Sequence, residues 1–192
     1  MIPRLRLDGL TVRLSPHAAP LAVDLDLEVR PGDVVGICGR SGCGKSTLLA
    51  CISGLLPWAR AGRLSGAVAI DGEEIGDLDP AQRAPHMGTC LDRPDAQLFL
   101  STPRQELEAA RARHASAPLA ARVADFLGVV PLLDRRTVTL SSGERQRVAL
   151  AVALAAAPRL VLLDEPCAHL DEGGVAGLVA ALELVRSAGG RD

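Results

Sequence analysis

The chain has 192 residues, 48% of them hydrophobic, and a formal net charge of -2. That length supports one domain with its own core, and the near-neutral charge argues against nucleic-acid binding driven by electrostatics. Five cysteines, at 38, 43, 51, 90 and 167, form an odd set without a CxxC pair. Neither a disulfide framework nor a zinc site is indicated, and reduced thiols in a cytoplasm are the simplest account. The opening MIPRLRLDGL lacks the apolar core of a signal peptide, and the longest apolar run, Val148 to Ala157, is about half a membrane span. If the protein serves a membrane process, another chain is expected to do the spanning.

In chain order, Arg4 to Leu14 and Leu21 to Val29 read as half-exposed antiparallel strands, the second with apolar residues at 21, 23, 25, 27 and 29. Pro31-Gly32-Asp33 is a turn. Val34 to Cys38 is a short apolar run that reads as a buried strand, and Thr47 to Ser53 reads as the first turns of a helix. Between them lies Gly39-Arg40-Ser41-Gly42-Cys43-Gly44-Lys45-Ser46-Thr47, which fits the pattern of glycine, four variable residues, glycine, lysine and a hydroxyl residue. Glycines in such a loop turn backbone N–H groups toward phosphate oxygens, with a helix N-terminus behind them. Lys45 would reach the terminal phosphates and Ser46 would hold magnesium.

Gly54 and Pro57 stop that helix. Ala67 to Ile70 with Asp71-Gly72 is a strand and turn, and Met87 to Leu91 is a further strand. From Asp92 to Leu140 the pattern turns helical. Thr102, Pro103 and Gln105 make a capping-box start, and a second helix runs from Pro118 to Leu127 and ends at Gly128. The arginines at 104, 111, 113 and 122 are open to two readings, a partner-binding face or the solvated face more usual for charge on short amphipathic helices.

Leu140-Ser141-Ser142-Gly143-Glu144 then opens a helix from Arg145 to Ala157. Its serines and glycine are capping chemistry that also offers N–H groups and hydroxyls to an anion. Leu160 to Pro166 (LVLLDEP) is an apolar strand ending in two acids. An acid at the C-terminal end of a buried α/β strand points into the ligand crevice. Alternation would send the two carboxylates opposite ways, so Glu165 is expected in the turn. Asp164 would hold magnesium through water, and Glu165 would orient or activate a water.

The phosphate loop, LSSGERQR at 140–147 and LVLLDEP at 160–166 together resemble the ATP-binding subunit of an ABC transporter, with Ser142 where the signature motif usually has glycine. Ala168-His169-Leu170-Asp171 looks like that family's D-loop. Arg93-Pro94-Asp95-Ala96-Gln97-Leu98-Phe99 looks most like importers of the energy-coupling-factor or cobalt type. The resemblance implies an α/β fold with a P-loop NTPase (RecA-like) core, N-terminal antiparallel β strands and an inserted α-helical subdomain. It implies one ATP-binding domain over 1–192, with a core at about 1–91 and 140–192 and the helical subdomain at about 92–139.

The resemblance further implies ATP hydrolysis with magnesium, by two cassettes, identical or different, meeting head to tail about a two-fold axis. Residues 39–47 would hold ATP, and Ser141, Ser142, Gly143 and Glu144 would contact ATP held by the partner cassette. Lys45 and Glu165 would be catalytic, and Ser46, Asp164 and Asp92 would approach the metal. Integral membrane subunits would dock on the helical subdomain, so the chain is expected in the cytoplasm, peripheral on the inner face of the membrane, with no nucleic-acid partner.

Three departures qualify the resemblance. Asp92 stands where a glutamine is expected, with Gln97 as a fallback. Leu14 stands where an adenine-stacking aromatic is expected, a loss of about 1 to 3 kcal/mol on the scale of base stacking. After a helix from about Gly174 to Ser187, the strand ending in the γ-phosphate histidine is missing, an expected C-terminal truncation. None of His17, His86, His114 and His169 substitutes by motif, and surface or structural roles are expected for them. The alternatives are a degenerate or fragmentary ATP-binding module without hydrolysis, and a soluble ABC ATPase of translation or DNA repair.

Overall fold

The computed structural model describes residues 2–13, 20, 22–58, 63–93, 96–112 and 117–189. Leu14, His17, Pro94, Asp95, Arg113 and His114 lie outside the described residues. The chain divides into two compact units, Met1–Met87 and Gly88–Asp192, so one unit holds the phosphate loop and the other both the helical segment and residues 140–192.

The first unit is built on an antiparallel sheet of order β2-β1-β3-β4. β1 (Leu5–Arg13) and β2 (Ala22–Val29) pair antiparallel, as expected of the first two segments, and β1 pairs on its other side with β3 (Arg63–Ile70). Leu5, Leu7, Leu10 and Val12 of β1 are all buried. Leu7 and Leu10 are three apart rather than two, and the register slips between them. The slip at Asp8-Gly9 returns Leu10 to the buried face. A Cβ on Gly66, which has φ +90°, would fall 2.4 Å from Gly9 O, so β3 can cross this bulge only as glycine. β3 turns at Asp71-Gly72 (φ 51° and 82°) into β4 (Glu73–Glu74), the positive-φ pair that suits a two-residue hairpin. Among the described residues β2 is an edge strand, and Asp24, Asp26 and Glu28 alternate along it as exposed residues.

Two short helices follow the expected helix. α1 (Lys45–Ile52) ends with Ser53 as its cap and Gly54 at φ +82°, and α2 (Leu55–Trp58) is broken at Leu56. α3 (Pro80–Arg83) starts with a full capping box, in which Asp79 accepts from Gln82 N at 2.9 Å and Gln82 Oε1 accepts from Asp79 N at 2.9 Å.

One expectation fails here. Val34 to Cys38 forms no strand among the described residues, and Val34 is 90% exposed, Val35 47% and Ile37 40%. Its composition suits a strand covered on both faces, but composition supplies no ladder partner. Neither sheet pairs with it, so its backbone runs irregularly up to the phosphate loop.

In the second unit β5 (Met87–Cys90) pairs with β6 (Leu160–Leu163). The helices are α4 (Pro103–Ala112), α5 (Ala117–Phe126), α6 (Ser142–Ala155) and α7 (Glu172–Gly189). α6 is the centre of the core: Val148, Ala149, Leu150, Ala151, Ala153, Leu154 and Ala155 are all buried. Its apolar residues run around the helix, as burial on most sides requires, and each buried leucine contributes about 1.5–3 kcal/mol. A Cβ on Gly88 would lie 2.0 Å from Ala153 O, and one on Gly177 2.1 Å from Phe126 O, so glycines let β5 approach α6 and α7 approach α5.

The helix starts reflect local chemistry. Thr102 accepts from Gln105 N at 3.4 Å, but Gln105 Oε1 takes Ser101 N (3.1 Å) instead of closing the box on Thr102. Glu106, buried, accepts from Leu100 N at 2.6 Å and also from Phe99 N. Gly128, at φ +61°, donates to Asp125 O and ends α5. The expected solvated face is an exposed bidentate pair, Arg104 with Asp134 at 2.8 Å, and Arg122 over the Phe126 ring at 5.8 Å.

Candidate functional site

In the first unit the phosphate loop closes on itself. Cys43 N donates to Arg40 O at 3.2 Å, and Gly42 (φ 78°) and Gly44 (φ 100°) take the left-handed angles that glycine permits. At Gly39 a Cβ would come 2.7 Å from Cys43 Sγ, so a side chain there would force the loop apart. Lys45, the first residue of α1, folds back: its Nζ donates to Gly39 O (3.0 Å) and Arg40 O (3.1 Å) and lies 3.9 Å from Cys43 Sγ. The ammonium thus sits across the loop, held by groups that an anion would replace. Ser46 is exposed on the first turn of α1. Beside the loop is a cleft of about 110 Å³ lined by Val12, Ile37, Cys38, Cys43, Gly44, Lys45 and Leu48. Among the described residues no aromatic ring lines it. The residue read as the aromatic's replacement, Leu14, lies outside them, and Val12 supplies the apolar wall from β1.

In the second unit β6 ends where the two acids begin. Asp164 N donates to Cys90 O at 2.8 Å, which carries the pairing of β5 and β6 one residue past the strand. Asp164 is 4% exposed, and its Oδ2 has no hydrogen-bond partner among the described residues. A buried carboxylate oxygen left unpaired is costly. A hydrated divalent cation relieves that cost, so the residue fits the metal role. Its charge, with burial as the larger cause, pushes the Cys90 thiol up to about 12. Glu165 is exposed in the turn at φ 44°, so the two carboxylates part company as the strand ends. Asp92 is exposed in the bend after β5. The fallback Gln97 is committed elsewhere: its Oε1 accepts from Leu91 N at 3.0 Å and its Nε2 reaches Thr89 O at 3.5 Å, stitching the chain to β5.

The start of α6 is a closed capping box. Ser141 Oγ accepts from Glu144 N (3.2 Å), and Glu144 Oε2 accepts from Ser141 N (2.7 Å). Glu144 Oε1 also pairs with Arg135 at 2.6 Å. The Ser141 N–H bond, and the Arg135 guanidinium after it, hold the Glu144 carboxyl below its ordinary value. Its carboxylate therefore shapes the helix start, at which Ser141 and Ser142 are both exposed. A Cβ on Gly143 would fall 2.7 Å from His169 O, so the signature segment lies directly against residues 168–171. Asp171 in turn caps α7 by accepting from Gly174 N at 2.8 Å.

Two contributors were given no role from the sequence, Gln146 although it lies within LSSGERQR, and Arg83. Gln146, 2% exposed, donates from Nε2 to Pro166 O (3.2 Å) and lies 3.8 Å from Cys90 Sγ, which ties α6 to the turn carrying Glu165. Arg83, 1% exposed, bonds the C-terminal end of α1. The available signals were a polar residue on an otherwise buried helix and the capping sequence Asp-Pro-Ala-Gln ahead of a lone arginine.

With this geometry in view, a family model described as ABC transporter matches residues 22–168. The chain belongs to the ABC transporter family. Among curated relatives it is similar to the sn-glycerol-3-phosphate import ATP-binding protein UgpC of Chromohalobacter salexigens, 36% identical over 178 residues, covering 87% of this chain and 44% of that one. It is likewise similar to the lipoprotein-releasing system ATP-binding protein LolD of Novosphingobium aromaticivorans, 38% identical over 174 residues, covering 86% of this chain and 75% of that one. Among solved structures it matches a protein assigned as a cobalt transport ATP-binding protein (cbiO-2), with TM-score 0.75, 28% identity and coverage of 94% and 66%. A bacterial Atm1-family ABC exporter with ATP bound matches with TM-score 0.75, 25% identity and coverage of 96% and 32%. These structures bear out the α/β P-loop fold of ABC type. The chain spans 44%, 30% and 39% of the first three curated relatives it matches.

Proposed function

We propose that this chain is an ATP-binding and ATP-hydrolysing subunit that powers an ABC transporter, working as one of a pair of cassettes, identical or different. The observation that carries the reading is the buried Asp164 Oδ2 just past β6, which has no hydrogen-bond partner among the described residues and is followed at once by the exposed Glu165. Magnesium would supply charge neutralisation on the phosphates; Ser46 in the first unit and, in the second, the buried Asp164 carboxylate are the residues whose chemistry would suit it, with Asp92 as a further acid. Residues 39–47 bind the phosphates through loop N–H groups, and Lys45 exchanges its two carbonyl partners for phosphate oxygens. Glu165 accepts the proton of the attacking water while the water oxygen bonds to the γ-phosphorus and the bond to the β–γ bridging oxygen breaks, with ADP as leaving group.

In the pair, Ser141, Ser142 and Gly143 meet ATP held by the partner cassette. ATP drives closure to the extent that it binds the closed state more tightly. The helical segment at 92–139 is the proposed dock for membrane subunits. Phe99 (82% exposed) and Val138 (74% exposed) offer apolar surface there, with their segments joined by Thr137 Oγ1 donating to Leu100 O at 2.9 Å. No helix among the described residues is long and apolar enough to cross a membrane, in keeping with a peripheral place on the inner face. The likeness of 93–99 to energy-coupling-factor and cobalt-type importers favours import.

The test is magnesium-dependent ATP turnover by the purified chain beside Glu165→Gln, with nucleotide binding measured on the same samples. Turnover abolished in the variant with binding retained is the expected result, and turnover unchanged in the variant refutes it. A second reading, nucleotide binding without hydrolysis, is favoured by Asp92 in place of the expected glutamine. Binding without turnover in the wild-type chain would establish it.

A further inference from the structure

We infer that Arg83 is a positioning residue for the phosphate site, because its guanidinium clamps the C-terminal end of the helix whose N-terminal end carries the phosphate loop. The inference rests on the reading that residues 39–47 hold ATP phosphates. α1 has eight residues and no basic residue in its last turn, so nothing in the helix itself answers its C-terminal carbonyls. Local groups satisfy some of them: Ser53 N donates to Leu49 O (2.9 Å), Ser53 Oγ to Ala50 O (3.1 Å) and Gly54 N to Cys51 O (3.1 Å). Ile52 O is left to Arg83. Arg83 Nη1 donates to both Cys51 O and Ile52 O at 3.0 Å, while its Nε donates to Leu78 O (2.9 Å) and its Nη2 to Gly76 O (2.7 Å).

The guanidinium therefore joins two stretches of backbone distant in sequence, and it does so 1% exposed. Its passage is shaped to fit: a Cβ on Gly54 would fall 2.7 Å from Arg83 Cδ, at a residue whose φ is already +82°. Lysine could supply the charge but not this planar fork of donors. A helix of eight residues is about 12 Å long and stiff, at ~1.5 Å per residue, so fixing one end fixes the other. A cation at the C-terminal pole complements the helix dipole and leaves the positive pole at Lys45 to Thr47 facing the anion.

The experiment compares the full chain with Arg83→Met, Arg83→Lys and Val68→Ala, a core change in β3 chosen as a stability control. Each is measured for thermal unfolding without nucleotide, for MgATP affinity, and for amide exchange at Leu48 to Ile52. Arg83→Met is expected to weaken MgATP binding about tenfold to a hundredfold, the scale of a binding group displaced by about 1 Å, and to speed exchange at the end of α1. Val68→Ala is expected to lower the unfolding temperature with less than about a twofold change in affinity, about 0.4 kcal/mol at 1.4 kcal/mol per tenfold. Arg83→Lys should fall between wild type and Arg83→Met, and it carries the test alone if Arg83→Met does not fold. Affinity unchanged in a folded Arg83 variant, or lowered no more than in Val68→Ala, overturns the inference. Wild-type chain that does not bind MgATP overturns the nucleotide reading itself, which a wild-type binder with indifferent Arg83 variants would leave standing.

Discussion

Replacing Asp164 by asparagine should make the nucleotide-free chain more stable while removing its response to magnesium. Asp164 is 4% exposed, and its Oδ2 is buried without a partner among the described residues. An unsatisfied buried polar group costs about 1–3 kcal/mol, more when charged. Asparagine keeps the shape and drops the charge, but its amide N–H groups meet the same lack of partners, so the net gain belongs at the low end, about 1 kcal/mol. For a chain of this size that raises the unfolding temperature by about 2–4 °C. The wild-type chain should recover far more by binding, since a ligand at a hundred times its Kd adds about 2.7 kcal/mol. The assay is thermal unfolding of both chains without nucleotide, and with ATP in the presence and absence of magnesium. The reasoning is refuted if Asp164→Asn melts below wild type without nucleotide and still gains stability from magnesium.

Alkylation of the native chain should label the exposed Cys38, Cys43 and Cys167, whereas Cys51 and Cys90, buried with thiols pushed up to about 11 and 12, should react only after unfolding. MgATP should slow labelling at Cys38 and Cys43 but not at Cys167, with peptide mass spectrometry as the readout. Glu144 has its folded pKa lowered, so its contribution is complete above the ordinary 4.5 and is lost as pH falls through the lowered value. Glu144→Gln should therefore lose stability at neutral pH and show a flatter acid limb in denaturant midpoints, and a parallel limb counts against the capping account. Gly177→Ala should cost about 1–3 kcal/mol by overpacking, because its Cβ would lie 2.1 Å from Phe126 O. An unchanged urea midpoint would contradict that contact.

Features set by neighbouring residues were legible in the sequence. The strands β1 and β2, the turn at Asp71-Gly72, the end of α5 at Gly128 and the cap of α6 at Ser141 all depend on residues a few places apart. Glu165 lies in the turn after β6, as the alternation argument expects, whereas α1 opens at Lys45, two residues before the Thr47 start expected from the sequence. What the sequence could not supply was pairing at a distance. Val34 to Cys38 has strand composition, yet a strand exists only where another strand accepts its hydrogen bonds. No motif marks Arg83, because its acceptors, Cys51 O and Ile52 O, are backbone atoms some thirty residues earlier. Gln146 was hidden in the same way, since its partner is the carbonyl of Pro166 rather than a side chain that a motif would mark.

The row of acids on β2 bears on how copies of this chain avoid one another. An open sheet edge is a template for further strands, and proteins blunt such edges with charge. Asp24, Asp26 and Glu28 stand at every second position of the outermost strand. Two copies approaching edge to edge along β2 would set three carboxylates against three, with no lysine on the strand to relieve them. Charge on this strand disfavours edge-to-edge pairing between copies, most strongly at low ionic strength, where repulsion reaches furthest.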